Sequence, residues 1–245
     1  MQKLILFFLH EWQRNSIIAS CTNFIGIWIT LPPVEENIAI LIADLSGYTA
    51  LTETHGASSA ADLIDKYVEL VNNSLVGESH LHERVGDEVM IVSNSADNLL
   101  STAVVLLQRV LSEYNFLHVH GALHYGKILK RNNGLFGSSL NLTSRIAAKA
   151  PPGVFLCSKD FVDAVEDKHS YSFSSVGMQT FKNVNEGSEV FEIVVDRPES
   201  LFIDPVCRML LPEATKRIPH PVRPDLFFCS ANCLKIFIER QISSE

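Results

Sequence analysis

Asp44 closes an apolar run from Asn37 to Ala43, and Asp87 follows Gly86 in a turn between Leu81–Val85 and Glu88–Val92. Two carboxylates at the ends of neighbouring elements can converge on divalent cations. Mg²⁺ takes hard oxygen ligands, commonly one or two carboxylates together with substrate phosphates, and a metal pair can activate an attacking hydroxyl and steady a departing oxygen. Taken singly, an Asp at a strand end is more often a turn former or a helix cap. A second cluster is made of thiols. Three of the five cysteines, Cys207, Cys229 and Cys233, fall in the last 40 residues, and Cys229 and Cys233 are one helical turn apart. Three thiols of this kind suit a soft or borderline metal, and three buried unmetallated cysteines are the alternative. His220 and Asp204 are candidates to complete the set. Asn141 and Arg145, also four apart, share one face of a helix that opens after Gly137.

The elements that must position these groups follow from the apolar pattern. Asn37 to Ala43 predicts a buried strand and Ala60 to Leu75 a helix, with Leu63, Tyr67, Leu70 and Val71 on one face. The Gly86-Asp87 pair predicts a hairpin. Asp97 to Tyr114 is helical in pattern and Phe116 to Leu123 alternates as a strand. This β-α-β-β-α-β order predicts an α+β fold, a ferredoxin-like sheet with helices on one face. A short hairpin at Asn132-Asn133-Gly134, a helix from Leu140 to Ala150 and late strands at Tyr171–Phe181 and Glu189–Val195 complete the main domain. Asp196 to Ser200 reads as a linker into a small C-terminal module. The expected division is an N-terminal extension at 1–33, a main domain at 34–196 and a module at 201–242.

Composition narrows the function classes. With 20 Lys and Arg against 28 Asp and Glu, the net charge is -8, which supplies no field for a nucleic-acid backbone. Nucleic acid is therefore excluded as a partner, and any phosphate must be held locally. The odd cysteine count, without regular spacing, argues against a secreted disulfide framework and for a cytoplasmic setting. Residues 16–31 form an apolar run somewhat short for a spanning helix, so the N-terminal extension is a candidate membrane-associated segment, with a plain non-catalytic extension or an upstream start codon as the preferred alternative.

Three segments together carry a resemblance. Ile42-Ala43-Asp44-Leu45-Ser46-Gly47-Tyr48-Thr49, Arg84-Val85-Gly86-Asp87-Glu88-Val89-Met90 and Phe136-Gly137-Ser138-Ser139-Leu140-Asn141-Leu142-Thr143-Ser144-Arg145 resemble, in order and spacing, successive motifs of the class III adenylate/guanylate cyclase catalytic domain. The resemblance implies a nucleotidyl cyclase that uses two Mg²⁺ or Mn²⁺ ions and a nucleoside triphosphate substrate. It implies that Asp44 and Asp87, with the Leu45 carbonyl, bind the metals, and that Ser46, Gly47, Tyr48 and Thr49 offer backbone N–H groups to the phosphates. Asn141 would orient the ribose, Arg145 would stabilise charge on the α-phosphate, and Lys182 would contact the terminal phosphates. Metal and Asn/Arg halves come from different subunits in such cyclases, which implies a homodimer. The base-recognition positions are Glu83 and Gly134. Glu83 leans towards guanine and Gly134 reads nothing by side chain, yet many bacterial members of that family with unusual residues here are regarded as adenylate cyclases, so the resemblance favours ATP with GTP close behind. A catalytically silent nucleotide- or metal-responsive module on the same fold is the alternative.

The C-terminal Asp204-Pro205-Val206-Cys207-Arg208-Met209 and Phe227-Phe228-Cys229-Ser230-Ala231-Asn232-Cys233 resemble the YHS domain, with Arg208 where that family usually has Gly. The resemblance implies a site for Zn²⁺ or Cu⁺ on Cys207, Cys229 and Cys233.

Overall fold

The computed structural model describes residues 35–132, 134–181, 187–197, 201–211 and 217–242. The candidate membrane-associated segment at 1–33 and Lys182 lie outside them. Among the described residues, no helix is long and apolar enough to cross a membrane.

The main sheet is built around β1 (Glu35–Ser46) and β4 (His118–Arg131), which pair antiparallel from Glu35↔Leu129 to Ser46↔His118. The hairpin of β2 (His80–Val85) and β3 (Glu88–Ser93) extends it on one side, with β3 paired to β1. On the other side follow β6 (Phe155–Ser158), parallel to β4, then β8 (Ser188–Val194) and β7 (Ser172–Gln179). A three-residue β5 (Gly134–Phe136) folds back on the end of β4. The strand order is β2-β3-β1-β4-β6-β8-β7.

Strand β1 is apolar on both faces, and that decides the layering. Ala39, Leu41, Ala43 and Leu45 point into a core shared with α1 (Tyr48–Asn72) and α2 (Ala96–Leu111). The alternate residues Ile38, Ile40 and Ile42 enter a second core with Ile146 and Ala147 of α3 (Ser138–Ala147). Side chains alternate across a strand, so a run without polar interruption needs cover on each side. The α+β class holds, whereas the expectation of helices on one face does not, because α3 covers the second face. The sequence reading also passed over β6 and the short α4 (Lys159–Ala164). Four buried residues give too little periodicity to stand out.

Residues 201–242 add two two-stranded ribbons, β9 (Phe202–Ile203) with β10 (Leu210–Leu211) and β11 (Ile218–Pro219) with β12 (Phe227–Phe228), followed by α5 (Ala231–Ile242). Val206, Cys207, Phe228 and Cys233 form a small core there. This part is joined to the main domain by reciprocal backbone hydrogen bonds: Asn115 N–H donates to the Leu210 carbonyl at 2.8 Å and Leu210 N–H to the Phe116 carbonyl at 2.7 Å.

Candidate active site

Asp44 follows the parity of Ile38, Ile40 and Ile42 and so lies on the α3 face, at the end where β1 runs into α1. His120 is its register partner on β4, and His120 Nδ1 lies 2.8 Å from Ser46 Oγ. The β2–β3 turn brings Asp87 in from the neighbouring strand pair, close enough for the Asp44 and Asp87 carboxyls to share a hydrogen bond. Asp44 Oδ1 is buried and has no hydrogen-bond partner among the described residues. Burial raises the pKa of Asp44. Burial and the Asp44 charge push Asp87 up to about 6, and burial followed by Asp87 raises Glu88. A carboxylate cluster held against its own repulsion, with an orphaned buried oxygen, is a donor set that suits a hard divalent cation. Asp44 and Asp87 therefore fit the metal pair that the resemblance implies. Leu45, next to Asp44 in the chain, is buried in the first core.

Beyond Ser46, Gly47 takes φ 96 and ψ 13, a left-handed conformation that only glycine adopts without strain, and turns the chain into α1. The first turn of α1 has no side-chain cap and no acidic residue. Its free N–H groups, from Tyr48 and Thr49 onward, form an uncapped helix N-terminus beside the acids, an arrangement that accepts phosphate. Arg208, from the C-terminal part, lies across this turn: a Cβ on Gly47 would stand 2.6 Å from Arg208 Cβ. His118, paired with Ser46 in register, has its pKa lowered by burial and then by the charges of Arg197 and Arg208.

Among the described residues, no hydrogen bond or ion pair links Asn141, Arg145, Glu83 or Gly134 to the two acids. Asn141 is exposed and Arg145 half-buried on α3, and neither side chain makes a hydrogen bond or ion pair among the described residues. Glu83 pairs with Met90 and shares its face with the second core. Gly134 lines a cleft of about 600 Å³ with His80, His82, Lys130 and Arg131, and Glu83 is not among its walls.

The thiols do converge. Cys207 Sγ and Cys229 Sγ are 3.5 Å apart, Cys229 Sγ and Cys233 Sγ 3.4 Å. The hydrogen bond with Cys207 is the main cause that lowers Cys229 to about 6 and raises Cys207, while burial raises Cys233 to about 12. The fourth member of the group is His55 on α1, whose Nε2 lies 3.5 Å from Cys229 Sγ and 3.6 Å from Cys233 Sγ. Neither His220 nor Asp204 fills that position. The Asp204 carboxylate accepts the backbone N–H groups of Val206, Cys207 and Cys229, and His220 Nδ1 accepts those of Val222 and Arg223. Sequence reasoning missed His55 because it lies 174 residues before Cys229. The one local signal was Gly56 beside it, which takes φ 84 and breaks α1.

No protein-family model matches the chain. An uncharacterized protein of Mycobacterium tuberculosis is 31% identical over 156 residues, covering 63% of this chain and 41% of its own length. A pH-sensitive adenylate cyclase of the same organism is 24% identical over 164 residues, covering 66% and 41%. The chain thus spans about two fifths of the curated relatives it matches. Among solved structures, an adenylate cyclase from Trypanosoma brucei superposes with a TM-score of 0.59 at 17% identity, over 64% of this chain and 89% of that one. The adenylyl cyclase CyaB from P. aeruginosa gives 0.56 at 17%, over 69% and 100%. The guanylate cyclase domain of RhGC from Catenaria anguillulae, in complex with GTP, gives 0.56 at 15%, over 67% and 100%. The described sheet and its helices therefore have the fold of the adenylate/guanylate cyclase catalytic domain.

Proposed function

We propose that this chain is a class III nucleotidyl cyclase that converts a nucleoside triphosphate, ATP in preference to GTP, to the 3′,5′-cyclic nucleotide and pyrophosphate. The observation that carries the reading is the pairing of Asp44 with Asp87 beside the uncapped N-terminus of α1, on a cyclase fold. Asp44, Asp87 and the Leu45 carbonyl would hold two Mg²⁺ or Mn²⁺ ions, which when bound activate the ribose hydroxyl and neutralise the triphosphate. Gly47 and the first N–H groups of α1 take the β- and γ-phosphates, with Ser46 tied back by His120. Lys182, outside the described residues, is assigned to the same phosphates by the resemblance alone.

Asn141 and Arg145 act in trans. Among the described residues neither side chain has a hydrogen-bond or ion-pair partner, and a guanidinium fork suits the α-phosphate oxygens in the transition state. In a homodimer each α3 completes the partner's carboxylate half, giving two sites. Exposed Val85 and Phe136 supply apolar surface for that contact. By the resemblance Glu83 and Gly134 would meet the base, and the contact missing at Gly134 would make discrimination between purines weak. The same reading makes residues 201–242 a YHS-like module whose three thiols take Zn²⁺ or Cu⁺.

The test is to incubate purified dimer with Mn²⁺ or Mg²⁺ and with ATP or GTP, and to measure cyclic product. Cyclic AMP in excess of cyclic GMP is expected. A folded dimer that yields neither sinks the enzyme reading and leaves a silent regulatory module.

A further inference from the structure

We propose that His55 is the fourth ligand of a closed, tetrahedral Zn²⁺ site with Cys207, Cys229 and Cys233, and that the metal staples the C-terminal module to helix α1 of the catalytic fold. The proposal deepens, and rests on, the three-thiol metal reading above. It is independent of cyclase activity.

Geometry comes first. The four ligand atoms lie within 4.8 Å of one another. Zinc bonds of about 2.3 Å to sulfur and about 2.0 Å to nitrogen in a tetrahedron require edges of roughly 3.8 Å between sulfurs and 3.5 Å from sulfur to nitrogen. The sulfur–sulfur edges of 3.4 and 3.5 Å and the sulfur–nitrogen edges of 3.5 and 3.6 Å are close to that figure. None of the three cysteines is in a disulfide. Three thiolates and one imidazole fill a four-coordinate shell with no open position, which is the pattern of a structural zinc site.

The surroundings are built for it. Asp204, fully buried, uses one carboxylate oxygen on the N–H groups of Val206 and Cys207 and the other on Cys229 N–H, fixing the two chain segments that present the thiols. Ser230 Oγ accepts Cys233 N–H and opens α5, which fixes Cys233 in the first turn of that helix and Cys229 just before it. On the opposite side, Gly56 ends the first segment of α1 at His55, and Asn232 Nδ2 donates to the Thr54 carbonyl at 3.5 Å. Such outer contacts orient ligands before a metal arrives. A module with so small a core gains folding energy from the ion.

The full chain is loaded with Zn²⁺ under reducing conditions, desalted and measured for metal. Affinity is then read by competition with a chelator, and geometry from the visible spectrum of the Co²⁺-substituted protein. One equivalent per chain and the intense bands of tetrahedral cobalt with thiolate ligands are expected. His55→Ala should weaken Zn²⁺ at least about tenfold and remove the tetrahedral spectrum. His55→Cys should restore both, with bands shifted towards four sulfurs. Unchanged affinity and spectrum in His55→Ala would remove His55 from the ligand set while leaving the three-thiol site standing. A wild-type chain that holds less than a stoichiometric metal would overturn both. Hydrogen exchange supplies the staple readout: chelation should speed exchange at the Thr54–Gly56 segment in wild type and leave His55→Ala unaffected. Exchange that ignores chelation in wild type would show that the metal does not tie the two parts.

Discussion

Arg208 packs across Gly47 so closely that a Cβ on the glycine would stand 2.6 Å from Arg208 Cβ and 2.7 Å from its Cγ. The contact joins the residue after the first module cysteine to the turn that presents the uncapped start of α1. Arg208 holds φ 69, a conformation rarely taken by a long side chain and retained only where the surroundings enforce it. In the proposed reading that turn takes the phosphates, and Arg208 is a cation next to it in a chain whose net charge is -8. Arg208→Ala is expected to raise KM for the triphosphate roughly tenfold with a smaller change in kcat, because a charge that meets ground and transition states alike affects binding most. Arg208→Gly should share that kinetic defect yet be about 1 kcal/mol more stable than Arg208→Ala, since only glycine relaxes at this φ. Steady-state kinetics and urea melts of the two variants check both parts.

Replacing Asp87 separates stability from activity. Its pKa is pushed up to about 6 by burial and by Asp44, so the charged form is held at a cost when no cation is bound. Asp87→Asn should bring turnover to assay background while stabilising the metal-free protein, by up to about 1 kcal/mol once solvent screening of this partly exposed group is allowed for. Calorimetry in chelator, beside product assays with Mn²⁺, distinguishes this from a misfolded variant.

Complementation tests the division of labour between subunits. Asp87→Ala and Arg145→Ala should each be inactive as homodimers, Arg145→Ala by roughly 10²–10³-fold. Mixed in equal amounts and allowed to exchange, half of the dimers carry one intact site, so about a quarter of wild-type activity should return. Activity that stays at background despite subunit exchange, followed by mass, would place both halves of a site in one chain.

The acid limb of stability should depend on His124. The ring is buried, Nδ1 is 2.8 Å from Ser158 Oγ, and burial lowers its pKa, with Asp160 opposing more weakly. The folded chain therefore keeps His124 neutral where the unfolded chain, titrating near 6.5, takes up a proton. As pH falls below about 6.5, the unfolded state binds more protons and stability drops, down to the lowered folded value. His124→Gln should flatten the fall in urea midpoint between about pH 7.5 and 5, an outcome read directly from paired titrations.

Much of the fold was legible. The continuous apolar run ending at Asp44, the Gly86-Asp87 turn and the helical faces around Leu63 and Leu99 each follow from local periodicity, and the structure has those elements. What local pattern could not give was layering. A run that is apolar at every position says that both faces of β1 are buried without saying by what, and α3 on the second face is a long-range choice. The four-residue β6 escaped for the same reason: its strand character is its pairing with β4.

By itself the sequence determined the chemistry available at each place: two acids at strand and turn, a glycine that opens a helix, an Asn/Arg face on α3, three thiols near the C-terminus. Spacing along a chain fixes which residues share a turn or a face, because those distances are set by backbone geometry. Only the tertiary structure decided which of these meet. It joined Asp44 to Asp87 across the β1–β3 pair, set Arg208 on Gly47, and carried His55 to within 3.6 Å of thiols from which it is separated by up to 178 residues. Contacts at that separation depend on how whole faces pack, a property of the folded chain with no counterpart in a window of sequence.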